Sequence, residues 1–318
     1  MTWPTARSRA KQAPPRPANA EPLIIAHRGA SSAVAEHTLP AYLSAIETGA
    51  DGLECDVRLT RDGHLVCVHD RTVNRTSNGS GIVSELDLSG LQQLDFQSWK
   101  EARQQASFSG SADDLIAEST YLADTVADDS PYLAGVDPDR IRPDDSQVLT
   151  LEVLLGVVRD AGRPLKLLIE TKHPTRYGGL VEKELVRVLR RFGWSAGGRS
   201  GGSSVAVMSF APVALRRVRL LAPKLPLVLL LDRATAIRRD GSLPHGVRTA
   251  GPGIRLVRSN PDYVERVHAL GGQVYCWTVD EPRDVALAAR LGVDAIITNR
   301  PAEVRAQLAS SKAPDKPV

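Results

Sequence analysis

Three short apolar runs near the start of the 318-residue chain each end in groups that can do acid/base or metal chemistry: His27-Arg28-Gly29, Glu54-Cys55-Asp56 and His69-Asp70. Charged groups are rarely placed at the ends of hydrophobic strands unless they pair or bind something. In a strand, residues two apart point to one side, so Glu54 and Asp56 face a common space while Cys55 faces away. Two converging carboxylates are what a hard divalent cation requires. A third, Glu170, follows the apolar run 165–169 and opens Glu170-Thr171-Lys172. Three acidic ligands leave room for water and a phosphate oxygen, which suits one Ca²⁺ or Mg²⁺, whereas zinc prefers His and Cys. Glu54-Cys55-Asp56 alone is also compatible with a salt-bridged strand end. Joined to Glu170 and two histidines, the like-charged cluster needs a cation to be tolerated.

His27 and His69 each close an apolar run and so reach the mouth of whatever sheet the runs build. A lone histidine there is commonly a structural partner. A pair around a cation suits general acid and base work, because imidazole titrates at about pH 6.5. Arg28 beside His27, and Lys172 two residues beyond Glu170, add fixed positive charge. A phosphate dianion or phosphodiester monoanion is the natural guest of a cation, a guanidinium and an ammonium together. His37 and His173 lie close enough to these motifs to be candidates for touching the site; His64, His245 and His268 lack such a setting.

Placing these groups together takes a repeated framework. Apolar runs recur at 23–26, 52–57, 65–68, 165–169, 205–208, 227–231, 253–256, 274–277 and 295–298. Most are continuous rather than alternating, as parallel strands covered on both faces are. Residues 38–48 present Leu39, Tyr42, Leu43 and Ile46 on one helical face, and 151–158, 180–189, 214–221 and 285–291 behave similarly. Repeated strand and helix predict an α/β fold, a TIM (βα)8 barrel. Nine runs compete for eight places. The second and third are separated only by 58–64, with the Asp62-Gly63 turn signal, so no crossover helix fits and an irregular second/third strand pair is expected. Which run lies outside the barrel is left open.

The pattern predicts a basic, disordered leader over 1–22, a barrel domain over 23–308 and a disordered tail over 309–318. An insertion at about 100–147 separates the third and fourth strands. Between Glu101 and Asp145 it carries eleven acidic residues against three basic ones, with few bulky apolar anchors. A lid or substrate-selecting cap at the active face and a disordered surface insert both fit. Residues 193–204, rich in Gly and Ser, read as a plain loop.

The balance of 40 basic and 37 acidic residues, net +3, gives no electrostatic case for nucleic-acid binding. Cys55, Cys67 and Cys276 lie in apolar runs without metal-binding spacing and read as reduced core residues. The leader has no apolar segment, so it is not a secretory signal, and no run approaches the roughly 18 apolar residues of a membrane span. A cytoplasmic enzyme is the expectation. Arg7, Arg9, Lys11 and Arg16 allow weak peripheral contact with an anionic membrane, against the simpler reading of a solvated leader. The oligomeric state is not encoded in any feature of the sequence.

Taken in order, the motifs AHRG at 26–29, EHT at 36–38, ADGLECDVRLTRDG at 50–63, VCVHD at 66–70, Arg75-Thr76, IETK at 169–172, YCWTV at 275–279 and IITNRP at 296–301 resemble the glycerophosphodiester phosphodiesterases. These are relatives of the phosphatidylinositol-specific phospholipases C. The resemblance implies a TIM barrel binding one divalent cation, commonly Ca²⁺ or Mg²⁺, and hydrolysis of small-molecule glycerophosphodiesters to an alcohol and sn-glycerol 3-phosphate. It implies Glu54, Asp56 and Glu170 as metal ligands, and His27 and His69 as the acid/base pair. Arg28 and Lys172 would contact the phosphate, and Trp277 would line the glycerol side. Two positions depart from the family pattern: His37 stands where Asn is usual, and Asn299 where Asp is usual. Glu36 and His37 are therefore expected, if anywhere, behind the ligands.

Three activities compete. The first is metal-dependent phosphodiester hydrolysis in glycerol and lipid metabolism. The second is lysophospholipase D-type cleavage of lysophospholipids, which needs an apolar groove beside the site. The third is an inactive, phosphoester-binding barrel; loss of His27, His69 or a ligand would signal it, and all are present.

Overall fold

The structure, a computed structural model, describes residues 21–102, 145–196, 198, 202–233 and 237–311. Most of the expected leader, most of the acidic insertion and the last residues of the expected tail lie outside the described residues.

The strands are β1 (Leu23–His27), β2 (Gly52–Leu59), β3 (Leu65–Cys67), β4 (Lys166–Thr171), β5 (Ser204–Ser209), β6 (Leu227–Leu231), β7 (Thr249–Pro252), β8 (Gln273–Cys276) and β9 (Ala295–Thr298). The helices are α1 (Leu39–Glu47), α2 (Leu88–Leu91), α3 (Leu151–Asp160), α4 (Leu180–Arg191), α5 (Pro212–Leu221), α6 (Ile254–Ser259), α7 (Asp262–Ala269), α8 (Pro282–Arg290) and α9 (Pro301–Ser310). Eight of the strands pair in parallel in the order β1, β9, β8, β7, β6, β5, β4, β2, and the β1–β2 pairing closes the ring. This is the (βα)8 barrel. β3 is the extra strand, antiparallel to β2 and outside the ring.

One expected strand is wrong. The run at 253–256 begins α6, and the seventh strand lies just before it, at Thr249–Pro252. Its Thr-Ala-Gly-Pro sequence lacks the branched apolar residues that mark a buried strand. Ile254, Leu256 and Val257 are instead buried from a helix, with Ile254 and Val257 at helical spacing. Gly251 suits the barrel wall because a Cβ there would stand 2.8 Å from Leu230 Cδ2. At the C-terminus, α9 runs to Ser310, two residues into the stretch expected as tail.

Strand alternation sorts the side chains into two cores. Ile25, Leu168, Ala206, Met208, Val228, Leu230, Tyr275, Ala295 and Ile297 fill the barrel interior. Leu53, Cys55, Val57, Leu167 and Ile169 point outward into the layer beneath the helices. A satellite cluster of Val66, Val68, Val73, Val83, Leu91, Phe96 and Val148 packs under the segment after β3. The three cysteines are free and buried. Among the described residues, no helix is long and apolar enough to cross a membrane.

Candidate active site

Moving two residues along a strand stays on one face, so the apolar filling of the barrel gives way to polar groups toward its C-terminal end. Ile25 is followed inward by His27, and Leu168 by Glu170, while β2 turns Glu54 and Asp56 to the same side. The register sets His27 beside Glu54 and Asp56 beside Glu170. As a result, one oxygen from each of Glu54, Asp56 and Glu170 lies within 4.8 Å of the others, and all three residues are buried. Cys55 faces the outer core, as the alternation requires.

Three buried carboxylates cannot all hold charge without compensation. Burial and the neighbouring Asp56 charge push the Glu54 carboxyl well up, and the same two causes raise Glu170 to about 8. Burial would raise Asp56 too, but Lys172 and Arg28 overcome it and hold Asp56 well below the usual carboxylate range. Lys172 Nζ stands 2.9 Å from Glu170 Oε1 and 3.4 Å from Asp56 Oδ1, and Arg28 Nε stands 3.0 Å from Asp56 Oδ2. Asp56 Oδ1 is nevertheless buried without a hydrogen-bond partner. An acceptor-only oxygen among carboxylates that has an ion pair but no hydrogen bond fits a hard divalent cation. Glu54, Asp56 and Glu170 are the residues that could hold it.

The two histidines are oriented through their Nδ1 atoms. His27 Nδ1 donates to Asn299 Oδ1 at 2.7 Å, which leaves Nε2 toward the cluster, 3.9 Å from Glu54 Oε2. Loss of water around His27 and the adjacent Arg28 charge push its imidazole down to about 3. His69 Nδ1 donates to the carboxylate of Asp70 at 2.6 Å. Burial lowers His69 as well, against the pull of Asp70. One imidazole is backed by a neutral amide and the other by an anion.

His37 and Glu36 take up the places behind these groups. His37 Nε2 donates to Asp56 Oδ2 at 2.9 Å, and its Nδ1 lies 2.8 Å from the hydroxyl of Tyr42. Glu36 accepts from Arg28 Nη1 at 2.9 Å and from both terminal nitrogens of Arg75 at 2.8 and 2.7 Å. Arg75 Nε then donates to Asp70 Oδ2 at 2.5 Å, so a line of ion pairs runs from Arg28 to His69. Tight local turns set this up. Arg28, Gly29 and His37 all have positive φ, and a Cβ on Gly29 would come within 2.6 Å of the Ala41 backbone. Thr38 accepts from Ala41 N to cap α1 directly after the His37 turn.

Trp277 follows β8 at the same end of the barrel, with its Nε1 donating to Gly251 O at 2.6 Å and its ring edge-on to Phe210 at 5.3 Å. His173, next to Lys172, faces α4, its Nε2 3.0 Å from Glu182. Sequence reasoning assigned no role to Asp70, Arg75, Asn299, Tyr42 or Phe210. Asp70 had a usable signal, since it adjoins His69. Tyr42 was marked only as a helix-face residue and Arg75 and Asn299 only as motif positions, and Phe210 carried no signal.

The sequence profile described as the glycerophosphoryl diester phosphodiesterase family matches residues 27–303. A protein of Mycobacterium tuberculosis named "Probable glycerophosphodiester phosphodiesterase 1" is 40% identical over 296 residues, covering 92% of this chain and 94% of its own. A glycerophosphodiester phosphodiesterase of Bacillus subtilis is 30% identical over 284 residues, covering 88% and 84%. Among solved structures, an Oleispira antarctica phosphodiesterase in complex with the product sn-glycerol-3-phosphate superposes with a TM-score of 0.64 at 20% identity, over 91% of this chain and 97% of that one. That likeness carries the fold. With a barrel of this topology and a profile match across most of its length, the chain belongs to the glycerophosphoryl diester phosphodiesterase family.

Proposed function

We propose that this phosphodiesterase hydrolyses small glycerophosphodiesters to an alcohol and sn-glycerol 3-phosphate, with His27 and His69 moving the protons and one Ca²⁺ or Mg²⁺ held by Glu54, Asp56 and Glu170. The observation that carries this reading is the meeting of three buried carboxylates with two histidines that are each fixed through Nδ1. When bound, the cation supplies Lewis-acid neutralisation of charge at the phosphoryl group.

The side chains divide the remaining work by their backing groups. His27, held by an amide, presents a lone pair at Nε2 and takes the proton from the attacking hydroxyl or water. His69, held by the Asp70 carboxylate, is the better site for an imidazolium and gives its proton to the departing alcohol. Arg28 and Lys172 bind the diester's phosphate oxygens, guanidinium and ammonium together. Trp277 and Phe210 form an aromatic wall suited to the carbon face of a glycerol unit.

Phe210, which packs on Trp277, is itself exposed, which favours acyl-bearing diesters as a second substrate class. A panel of glycerophosphocholine, glycerophosphoethanolamine and their lyso-lipid counterparts, followed by ³¹P NMR, separates the two. Release of glycerol 3-phosphate from the non-acylated diesters is expected; turnover of the acylated compounds alone overturns the first reading.

A further inference from the structure

Asn299 is pinned more tightly than its contact with His27 requires. Asp280 Oδ2 accepts from Asn299 Nδ2 at 2.6 Å, while Asp280 Oδ1 accepts from the Asn299 backbone N–H at 2.8 Å and from Thr298 Oγ1 at 2.9 Å. Ser31 Oγ lies 2.8 Å from Asn299 Oδ1 and 2.7 Å from the His27 carbonyl oxygen. Every polar atom of the Asn299 side chain therefore has a partner of known character. A carboxylate can only accept, so the amide NH₂ must face Asp280 and the amide oxygen must face His27. An acceptor facing Nδ1 in turn requires the proton of a neutral His27 to sit on Nδ1. The Nε2 lone pair is then the atom presented to the carboxylate cluster.

We propose that Asp280 is a positioning residue for the reaction: by fixing the orientation of the Asn299 amide, it selects the Nδ1–H tautomer of His27. Asp280 touches neither His27 nor the cluster, and it acts through one amide that can face either way. The inference rests on the proposed role of His27, and its physical content, a tautomer, is measurable without turnover.

The sign of the effect follows from donor and acceptor counts. In Asp280→Asn, the two backbone-side bonds from Asn299 N–H and Thr298 Oγ1 keep the new amide oxygen where Oδ1 was. Its NH₂ then faces the Asn299 side chain, which turns to offer its own oxygen and points Nδ2 at His27. His27 must accept at Nδ1, and its proton moves to Nε2. In the reciprocal swap, Asp280→Asn with Asn299→Asp, the new amide donates to the new carboxylate. That carboxylate again accepts from His27 Nδ1, and the original tautomer returns.

The test is ¹⁵N NMR of the imidazole nitrogens in the full chain at pH about 8, above the ordinary imidazole range, with His27→Gln to assign the signal. The wild type should show a protonated Nδ1 and bare Nε2, Asp280→Asn the inverse, and the double variant the wild-type pattern. Steady-state hydrolysis of glycerophosphocholine should show kcat falling on the order of 10²-fold in Asp280→Asn with KM near wild type, recovering in the double variant. A bare Nδ1 in the wild type overturns the proposal, and this measurement needs no variant to fold. An unchanged tautomer in Asp280→Asn also overturns it. If the wild type hydrolyses no diester while the tautomers follow the predicted pattern, the substrate reading fails and the positioning role of Asp280 stands.

Discussion

Asp56 and Glu170 lie opposite one another in register on adjacent parallel strands, and Lys172 Nζ spans their carboxylates at 3.4 and 2.9 Å. The barrel wall thus holds two buried acids side by side and supplies a single ammonium between them. A fixed charge of this kind is a partial substitute for a divalent ion.

Lys172→Met should therefore expose the repulsion most when no cation is present. Breaking a buried ion pair from one side costs about 3–5 kcal/mol. Urea unfolding in chelator is expected to show a loss of that order, and in excess Ca²⁺ or Mg²⁺ a clearly smaller one. Equal losses under both conditions would mean that no cation binds among these carboxylates.

Arg75 joins Glu36 to Asp70 and should govern acid stability. Burial alone would raise both carboxyls, but the Arg75 hydrogen bonds to Glu36, and those of His69 and Arg75 to Asp70, hold both below the usual carboxylate range. A depressed folded-state pKa gives stability that is fully present above the unfolded-chain value of about 4 and lost as pH falls through the folded value. Arg75→Met is expected to cost about 2–3 kcal/mol at neutral pH, the worth of one charge-assisted bond beyond a solvent-exposed pair. The gap between variant and wild type should narrow in unfolding titrations below about pH 4. A gap independent of pH would assign the loss to packing.

The barrel itself was legible because seven of its eight strands fall on apolar runs and several of its helices are amphipathic, and the ligand set was legible because Glu54 and Asp56 share a strand face. The misplaced seventh strand shows the limit: Thr249, Ala250, Gly251 and Pro252 form a strand through close approach to neighbouring strands, and that leaves no hydrophobic signature. The contact that orients His27 was hidden for a different reason. Asn299 is 272 positions from His27, and only barrel closure brings β1 and β9 together.

His37 combines a backbone demand with a side-chain one. Its φ of +62° lies in the left-handed region, where Asn, Asp and His are the non-glycine residues most often found, and its Nε2 donates to a metal-ligand candidate. His37→Asn keeps a tolerated backbone and an amide donor, so kcat should fall less than about tenfold, below the roughly 10–100-fold loss typical when an outer-shell partner is removed. His37→Val loses the donor and strains a β-branched residue, and thermal unfolding should register a loss of about 3 kcal/mol. Similar behaviour of the two variants would remove His37 from the support of Asp56.

The central claim is that one divalent cation and two histidines act together on a glycerophosphodiester. Glycerol 3-phosphate release from glycerophosphocholine by the full chain, measured after chelation and after Ca²⁺ or Mg²⁺ is restored, tests it most directly, with His27→Ala and His69→Ala run alongside. The account predicts turnover that disappears with chelator, returns with the cation, and falls by at least about 10³-fold in either variant. Turnover that persists in chelator, or survives loss of either histidine, would contradict it.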